Sequence, residues 1–374
     1  MTISDLLKEL VKLDGSDLFL IVGSPPVVSV KGKLIPVGNG KLTPEMTKRL
    51  AVSLMNEKQK ISFVRNKELN ISHSIHGFGR FRVNIFNQRG TIGLVIRRIK
   101  LKIQSIDDLK LPPILKDLAM EKRGLILVTG ATGSGKSTTL AAMIDYRNSN
   151  SDGHIVTIED PLEFVHPHKK SVVTQREVGM DTLSYANALK SALRQAPDVI
   201  LIGEIRDRET MEAAISFAET GHLVLSTLHS NNANQTLERI LNFFPADMHS
   251  MIHLQLSLNL KGVICQRLVP SVDGKGRVAV LEVMISTPRI ADLIHKGDTT
   301  GLKSVIAAGT HEGMQTFDQH LYKLYKEGRI SYDTAIKAAD SANDLKLRIK
   351  MESPEEIKTE GISLEAETEE SILK

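Results

Sequence analysis

Eight consecutive residues, Gly130-Ala131-Thr132-Gly133-Ser134-Gly135-Lys136-Ser137, fill the pattern of a loop that wraps phosphate groups, with Thr138 directly behind. Glycines let backbone N–H groups turn toward phosphate oxygens where a Cβ would stand in the way. The lysine can reach the β- and γ-phosphates, and the Ser137 hydroxyl can ligate Mg²⁺. The flanks are those such a loop needs. Leu125-Ile126-Leu127-Val128 reads as an apolar strand before it, and Thr138 to Ile144 reads as a helix after it. That helix would open near Lys136 and aim its positive dipole end at the same anion. ATP and Mg²⁺ are the ligands this chemistry calls for.

Phosphoryl transfer to water also needs a positioned water and groups that meet the developing charge. Carboxylates recur where the following strands end. One cluster is Glu159-Asp160-Pro161-Leu162-Glu163, and the next is Gly203-Glu204-Ile205-Arg206-Asp207. Carboxylates at these two strand ends can polarise the water or hold the Mg²⁺ shell. His222 and His229 flank a further strand. Their odd spacing points them to opposite faces of a regular strand, which argues against a shared metal site. One of them is suited to sensing the γ-phosphate.

Alternation of strands and helices must position these groups. His154–Ile158, Asp198–Ile202 and Leu223–Thr227 read as strands. Tyr185, Ala188, Leu189, Ala192 and Leu193 mark one helical face, ended by Pro197. Met211, Ala214, Ile215 and Ala218 mark another. The fold class is therefore α/β, a largely parallel sheet covered on both faces, with ligands beyond the carboxyl ends of its strands.

Residues 1–99 read as a separate α+β domain. An amphipathic helix carries Ile3, Leu6, Leu7, Leu10 and Val11. Strands follow at Asp17–Ile21, Val27–Val30, Lys33–Ile35, Arg80–Ile85 and Leu94–Arg97. Period-two alternation places Arg80 and Arg82 together on one polar face. Residues 100–113, closing on Pro112-Pro113, form a linker. The ATPase domain spans 114–285. Residues 286–350 form a helical subdomain in which Phe317, Leu321 and Leu324 make one stripe. Residues 351–374 are an acidic tail of the kind that stays disordered.

Composition sets bounds. Charged residues are 25% and apolar residues 41% of the 374, ordinary globular values. A net charge of +4 and an aromatic content of 4% without tryptophan offer little to nucleic acid. The single cysteine, Cys265, excludes an intrachain disulfide and a cysteine zinc site, and suits a reducing cytoplasm. It reads as a small buried apolar side chain. No apolar run approaches the ~20 residues of a membrane-spanning helix.

The residues now support a resemblance. Ala131–Thr139, Ile158–Glu163, Leu201–Asp207 and the Glu219-Thr220-Gly221-His222 to His229 stretch resemble the Walker A, Asp, Walker B and His boxes of the type II/IV secretion ATPase superfamily, in that order. The chain is similar to its pilus retraction branch, the PilT/PilU family. Resemblance implies a PAS-like N-terminal domain, a RecA-like ATPase domain and a hexameric ring. It implies that Glu163 is the catalytic glutamate that orients the attacking water, and that Glu204 is the catalytic Walker B acid in the Mg²⁺ shell. Arg80, Arg82 and Arg97 would close over the ATP phosphates, His229 would contact the nucleotide, and His222 and Arg206 would couple its state to neighbouring elements.

A chain with one cysteine lacks the tetracysteine zinc motif of many assembly ATPases, which favours the retraction branch. Arg289-Ile290-Ala291-Asp292-Leu293-Ile294 stands where PilT-type proteins carry Ala-Ile-Arg-Asn-Leu-Ile. The Ala339–Arg348 stretch and the tail are similar to the PilU type, an accessory to a PilT-type motor. The expected partners are further copies of this chain, a PilT-type retraction ATPase and the inner-membrane pilus platform protein. The expected place is the cytoplasmic face of that membrane, with no nucleic acid bound. The competing readings are a nucleic-acid translocase or helicase, revealed by stimulation of ATPase by DNA or RNA, and a non-hydrolysing member of a mixed ring.

Overall fold

The computed structural model describes residues 2–75, 78–99 and 102–352. The chain opens with helix α1 (Ile3–Lys12), started by a capping box between Thr2 and Asp5. Strands β1 (Asp17–Leu20), β2 (Val27–Val30) and β3 (Lys33–Pro36) follow, then helices α2 (Pro44–Leu54) and α3 (Glu57–Asn66). Strands β4 (Glu68–Ile75), β5 (Gly79–Gln88) and β6 (Thr91–Ile99) complete an antiparallel sheet of order β3-β2-β1-β6-β5-β4.

Alternation along β5 decides which way this sheet faces. Phe81, Val83 and Ile85 are fully buried, while Arg80, Arg82 and Asn84 lie on the other face. Leu6, Leu7 and Leu10 of α1 pack into the same core, so the expected amphipathic helix covers its own domain. Helices α2 and α3 and strand β4 were not read from the sequence. In α3 only Phe63 is buried while Ile61 and Val64 face outward, so no apolar stripe announces it.

Helix α4 (Ile114–Ala119) leads into β7 (Gly124–Thr129), the phosphate-loop residues and α5 (Lys136–Asn150). Then come β8 (Gly153–Glu159), β9 (Ser171–Glu177), α6 (Tyr185–Ala192), β10 (Val199–Ile202), α7 (Arg208–Glu219) and β11 (Leu223–Leu228). Next are α8 (Ala233–Leu241), α9 (His249–Asn259) and the long hairpin β12 (Leu260–Pro270) and β13 (Arg277–Ile285). The sheet order is β13-β12-β7-β11-β10-β8-β9, parallel except for the β12–β13 pair. Strands β7, β10 and β11 are buried at every position, which is why they are dominated by apolar residues, unbroken in Leu125–Val128 and Val199–Ile202.

Two local expectations change. Helix α6 stops at Ala192, before Pro197, and Leu193 lies outside it, 58% exposed, instead of on its buried face. In the expected linker, Ile106 and Leu111 are buried with Leu115, Leu118 and Ile126, so this stretch is anchored on the ATPase side. Lys100 and Leu101 lie outside the described residues.

Five α-helices end the described residues: α10 (Pro288–Lys296), α11 (Leu302–Ala308), α12 (Phe317–Lys326), α13 (Tyr332–Ala338) and α14 (Ala342–Glu352). Phe317, Leu321 and Leu324 of α12 are all buried, as their stripe requires. Residues 351 and 352, expected to begin the tail, are the last turn of α14; the rest of the expected tail, 353–374, lies outside the described residues. Among the described residues no helix is long and apolar enough to cross a membrane.

Candidate active site

A cleft of about 560 Å³ opens where β7, β8, β10 and β11 end. Its floor is the phosphate loop. Gly135 takes φ +91 as the N-cap of α5, and a Cβ there would lie 2.7 Å from Gln266 Nε2. Glycine is thus required both by the backbone angle and by the close approach of a neighbouring strand. With no capping side chain, the first N–H groups of α5 are free to meet an anion. Ser134 is buried and its Oγ has no hydrogen-bond partner among the described residues.

Lys136 Nζ donates to the carbonyl oxygens of Gly130 at 2.8 Å and Ala131 at 3.1 Å. Desolvation lowers its pKa, and the carboxylates of Glu204 and Glu163 pull it back up. Both predicted catalytic carboxylates therefore act on the one lysine. Thr132, Gly133, Ser137 and Thr138 also line the cleft, as do Arg206 and His229. This donor set fits a triphosphate with its cation: glycine backbone and lysine for the phosphates, the Ser137 hydroxyl and the Glu204 carboxylate toward Mg²⁺.

Glu204 is held at both oxygens. Oε1 lies 2.8 Å from His229 Nε2, and Oε2 accepts from Arg206 at 2.6 Å. Arg206 also reaches Asp160 at 4.0 Å. Thr227 Oγ1 donates to the Gly203 carbonyl at 2.7 Å, fixing the backbone from which Glu204 projects. Glu163 is exposed and lines the same cleft. His222 is elsewhere, at the other end of β11, roughly 20 Å along the strand from His229. Its Nδ1 lies 3.0 Å from the Phe217 carbonyl oxygen and its ring meets Phe217 edge-on.

The three candidate arginines of the first sheet, Arg80, Arg82 and Arg97, are not in the cleft lining. Arg80 Nε donates to Ser72 Oγ at 2.8 Å, and its Nη2 lies 3.7 Å from Glu177 Oε2 of β9. Arg82 and Arg97 are directly opposite on β5 and β6, a like-charge pair that costs stability, and Arg97 is offset by Asp17 at 2.8 Å.

Sequence reading missed several residues of this site. Gln266 on β12 donates from Nε2 to the Ser134 carbonyl at 2.8 Å and accepts at Oε1 from Thr139 Oγ1 at 2.7 Å. Leu268 and Arg277, from β12 and β13, line the cleft beside the loop. Glu159, half-buried, accepts from Thr157 Oγ1 at 2.8 Å, and burial pushes its carboxyl up to about 7. His166 is buried, held down to about 4 by desolvation, with Nδ1 unpartnered among the described residues. Cys265, on β12, is fully buried, as expected of a small apolar side chain, and burial pushes its thiol up.

The family model for type II/IV secretion system proteins matches residues 71–337. The chain belongs to this family. It is an ATPase of α/β, RecA-like fold. The Pseudomonas aeruginosa type IV pilus ATPase PilU is 55% identical over 98% of this chain and 97% of its own length. The PilT retraction ATPase of the same organism is 44% identical over 91% of this chain and 98% of its own. A crystal structure of the pilus retraction motor PilT with bound ADP superimposes with a TM-score of 0.86 at 44% identity, covering 93% of this chain and 99% of that one. The DotB ATPase of Legionella pneumophila gives 0.77 at 27% identity, covering 94% and 96%.

Proposed function

We propose that this secretion-family ATPase is a motor for type IV pilus retraction, working in a hexameric ring at the cytoplasmic face of the inner membrane. The proposal extends to its PilU-type role: it assists a PilT-type ATPase and acts on the membrane-embedded pilus platform. The observation that carries the chemistry is the convergence of Lys136, Glu163 and Glu204 on one cleft at the strand ends. The higher identity to PilU than to PilT, with both relatives matched over nearly their full length, favours the accessory branch.

In this mechanism the phosphate loop and the N-terminus of α5 bind the triphosphate of ATP. Lys136 exchanges its loop carbonyls for β- and γ-phosphate oxygens. Mg²⁺, when bound, neutralises charge on those oxygens, with Ser137 and Glu204 as the side chains on its side of the cleft. Glu163 orients water for in-line attack on the γ-phosphorus, giving ADP and phosphate. His229 and Arg206 keep Glu204 in one orientation throughout, so little reorganisation is needed at the moment of reaction.

Coupling to motion uses the first sheet. Arg80, Arg82 and Arg97 gain phosphate contacts only when the two domains close, so ATP favours closure and phosphate release reverses it. The hinge lies within residues 100–113, on the N-terminal side of the anchored Ile106. The deciding experiment pairs two assays. ATPase turnover should be lost in Lys136→Ala and Glu163→Ala. Pilus retraction should be measured in cells with this ATPase alone, with a PilT-type ATPase added, and with the Lys136→Ala form plus that partner. Undiminished turnover in both variants would overturn the chemistry. Robust retraction by this chain alone would overturn the accessory role.

A further inference from the structure

Glu177 ends β9 at the edge of the ATPase sheet, where the first sheet touches it. Its side chain is only 5% exposed. Its Oε2 has no hydrogen-bond partner among the described residues, and Arg80 Nη2 stands 3.7 Å away, within ion-pair range but too far for a hydrogen bond. Ser72 Oγ on the adjacent strand orients that guanidinium. Arg82, one side chain further along the same face, also acts on the carboxylate, and Asp181 opposes them. The backbone N–H of Leu162 also acts on the carboxylate, lowering it. Leu162 is buried and immediately precedes Glu163. Burial raises the Glu177 carboxyl, while Arg80, Arg82 and the Leu162 N–H pull it back down.

We infer that Glu177 is a positioning residue that joins two parts of the motor: it holds Arg80 in reserve and braces the loop that carries Glu163. The inference rests on the reading that Glu163 orients the attacking water and that Arg80 moves to the nucleotide. A phosphate oxyanion offers a guanidinium paired hydrogen bonds and more charge than a single carboxylate oxygen at 3.7 Å. Arriving ATP therefore draws Arg80 off Glu177. The carboxylate, having lost that cation, then bears more strongly on the Leu162 N–H, and Glu163 is fixed as the first sheet closes.

The test uses the full-length protein. Binding of a non-hydrolysable ATP analogue and kcat for ATP hydrolysis are measured separately. Glu177→Gln frees Arg80 and weakens the brace, so the analogue binds about threefold to tenfold more tightly while kcat falls by at least about threefold. Ser72→Ala loosens Arg80 without touching the buried carboxylate, so it tightens binding less and leaves kcat unchanged. In an Arg80→Ala background, Glu177→Gln no longer tightens binding. A merely structural Glu177 would lower the thermal midpoint without tightening anything. Unchanged or weaker binding in both Glu177→Gln and Ser72→Ala, or additivity with Arg80→Ala, overturns the inference. Glu163→Ala is the control. Retained turnover there sinks the underlying mechanism; lost turnover there, with wild-type binding in the Glu177 and Ser72 variants, sinks only the link through Glu177.

Discussion

Gln266 holds the Ser134 carbonyl of the phosphate loop at 2.8 Å from a strand that pairs beside the loop's own strand. Its other amide atom accepts from Thr139 on the first turn of α5, 2.7 Å away. One side chain thus ties the loop and the helix it feeds to the sheet. Both bonds are buried, so nothing replaces them when the amide is removed. Gln266→Ala should leave Ser134 O and Thr139 Oγ1 unsatisfied at a cost of about 1–3 kcal/mol for each group. We expect ATP binding to weaken about tenfold or more, with the thermal midpoint lowered. Nucleotide titration followed by a melt checks both; wild-type affinity would remove Gln266 from the site.

Gly135 sets the second prediction. It sits at φ +91 with Gln266 Nε2 only 2.7 Å from where a Cβ would be. Gly135→Ala adds backbone strain of about 1 kcal/mol and pushes Gln266 off the loop. It should therefore reproduce the Gln266→Ala binding defect, and combining the two should be less than additive. A double-mutant cycle on nucleotide affinity reads this directly.

His229 leads to the third. It holds one oxygen of Glu204 while Arg206 holds the other. His229→Ala leaves the carboxylate anchored on one side only. Turnover should fall about tenfold with little change in nucleotide affinity, because the loss falls on orientation and not on phosphate binding. His222→Ala is the contrast. Its ring packs on Phe217 at the far end of the strand, so its direct effect should be on stability.

What the sequence disclosed about this site followed from how local its signals are. The phosphate loop, Glu163, Glu204 and His229 each lie within a few residues of the end of a short strand, and a strand end can be read from a few adjacent residues. Gln266 and Arg277 could not be found that way. They come from β12 and β13, and they meet the loop only because β12 pairs with β7 across more than a hundred residues of chain. The Arg80–Glu177 contact was hidden for the same reason, since it joins two sheets. The polar face of β5 was legible from alternation, but alternation names no partner. Helix α3 stayed silent because it buries so little.

Acid stability supplies the last prediction. Burial raises the Glu159 carboxyl to about 7, above its unfolded value of 4.5, so the folded state binds this proton more tightly. Stability from Glu159 is present below pH 4.5 and is lost as pH rises through about 7. His166 and His320 behave oppositely. Desolvation lowers both to about 4 from 6.5, and His320 Nδ1 must keep its lone pair to accept the Leu281 N–H at 2.9 Å. Their contribution is complete above pH 6.5 and is lost as pH falls toward 4. Each group is worth no more than about 3 kcal/mol. Between pH 4.5 and 6.5 the carboxyl offsets one of the two imidazoles, leaving a slope of about one proton. Glu159→Gln keeps the shape and removes the offset. The unfolding midpoint should then climb about twice as steeply with pH across that window. Denaturant unfolding of both proteins at several pH values measures the slopes, and parallel lines would show that Glu159 titrates normally in the folded chain.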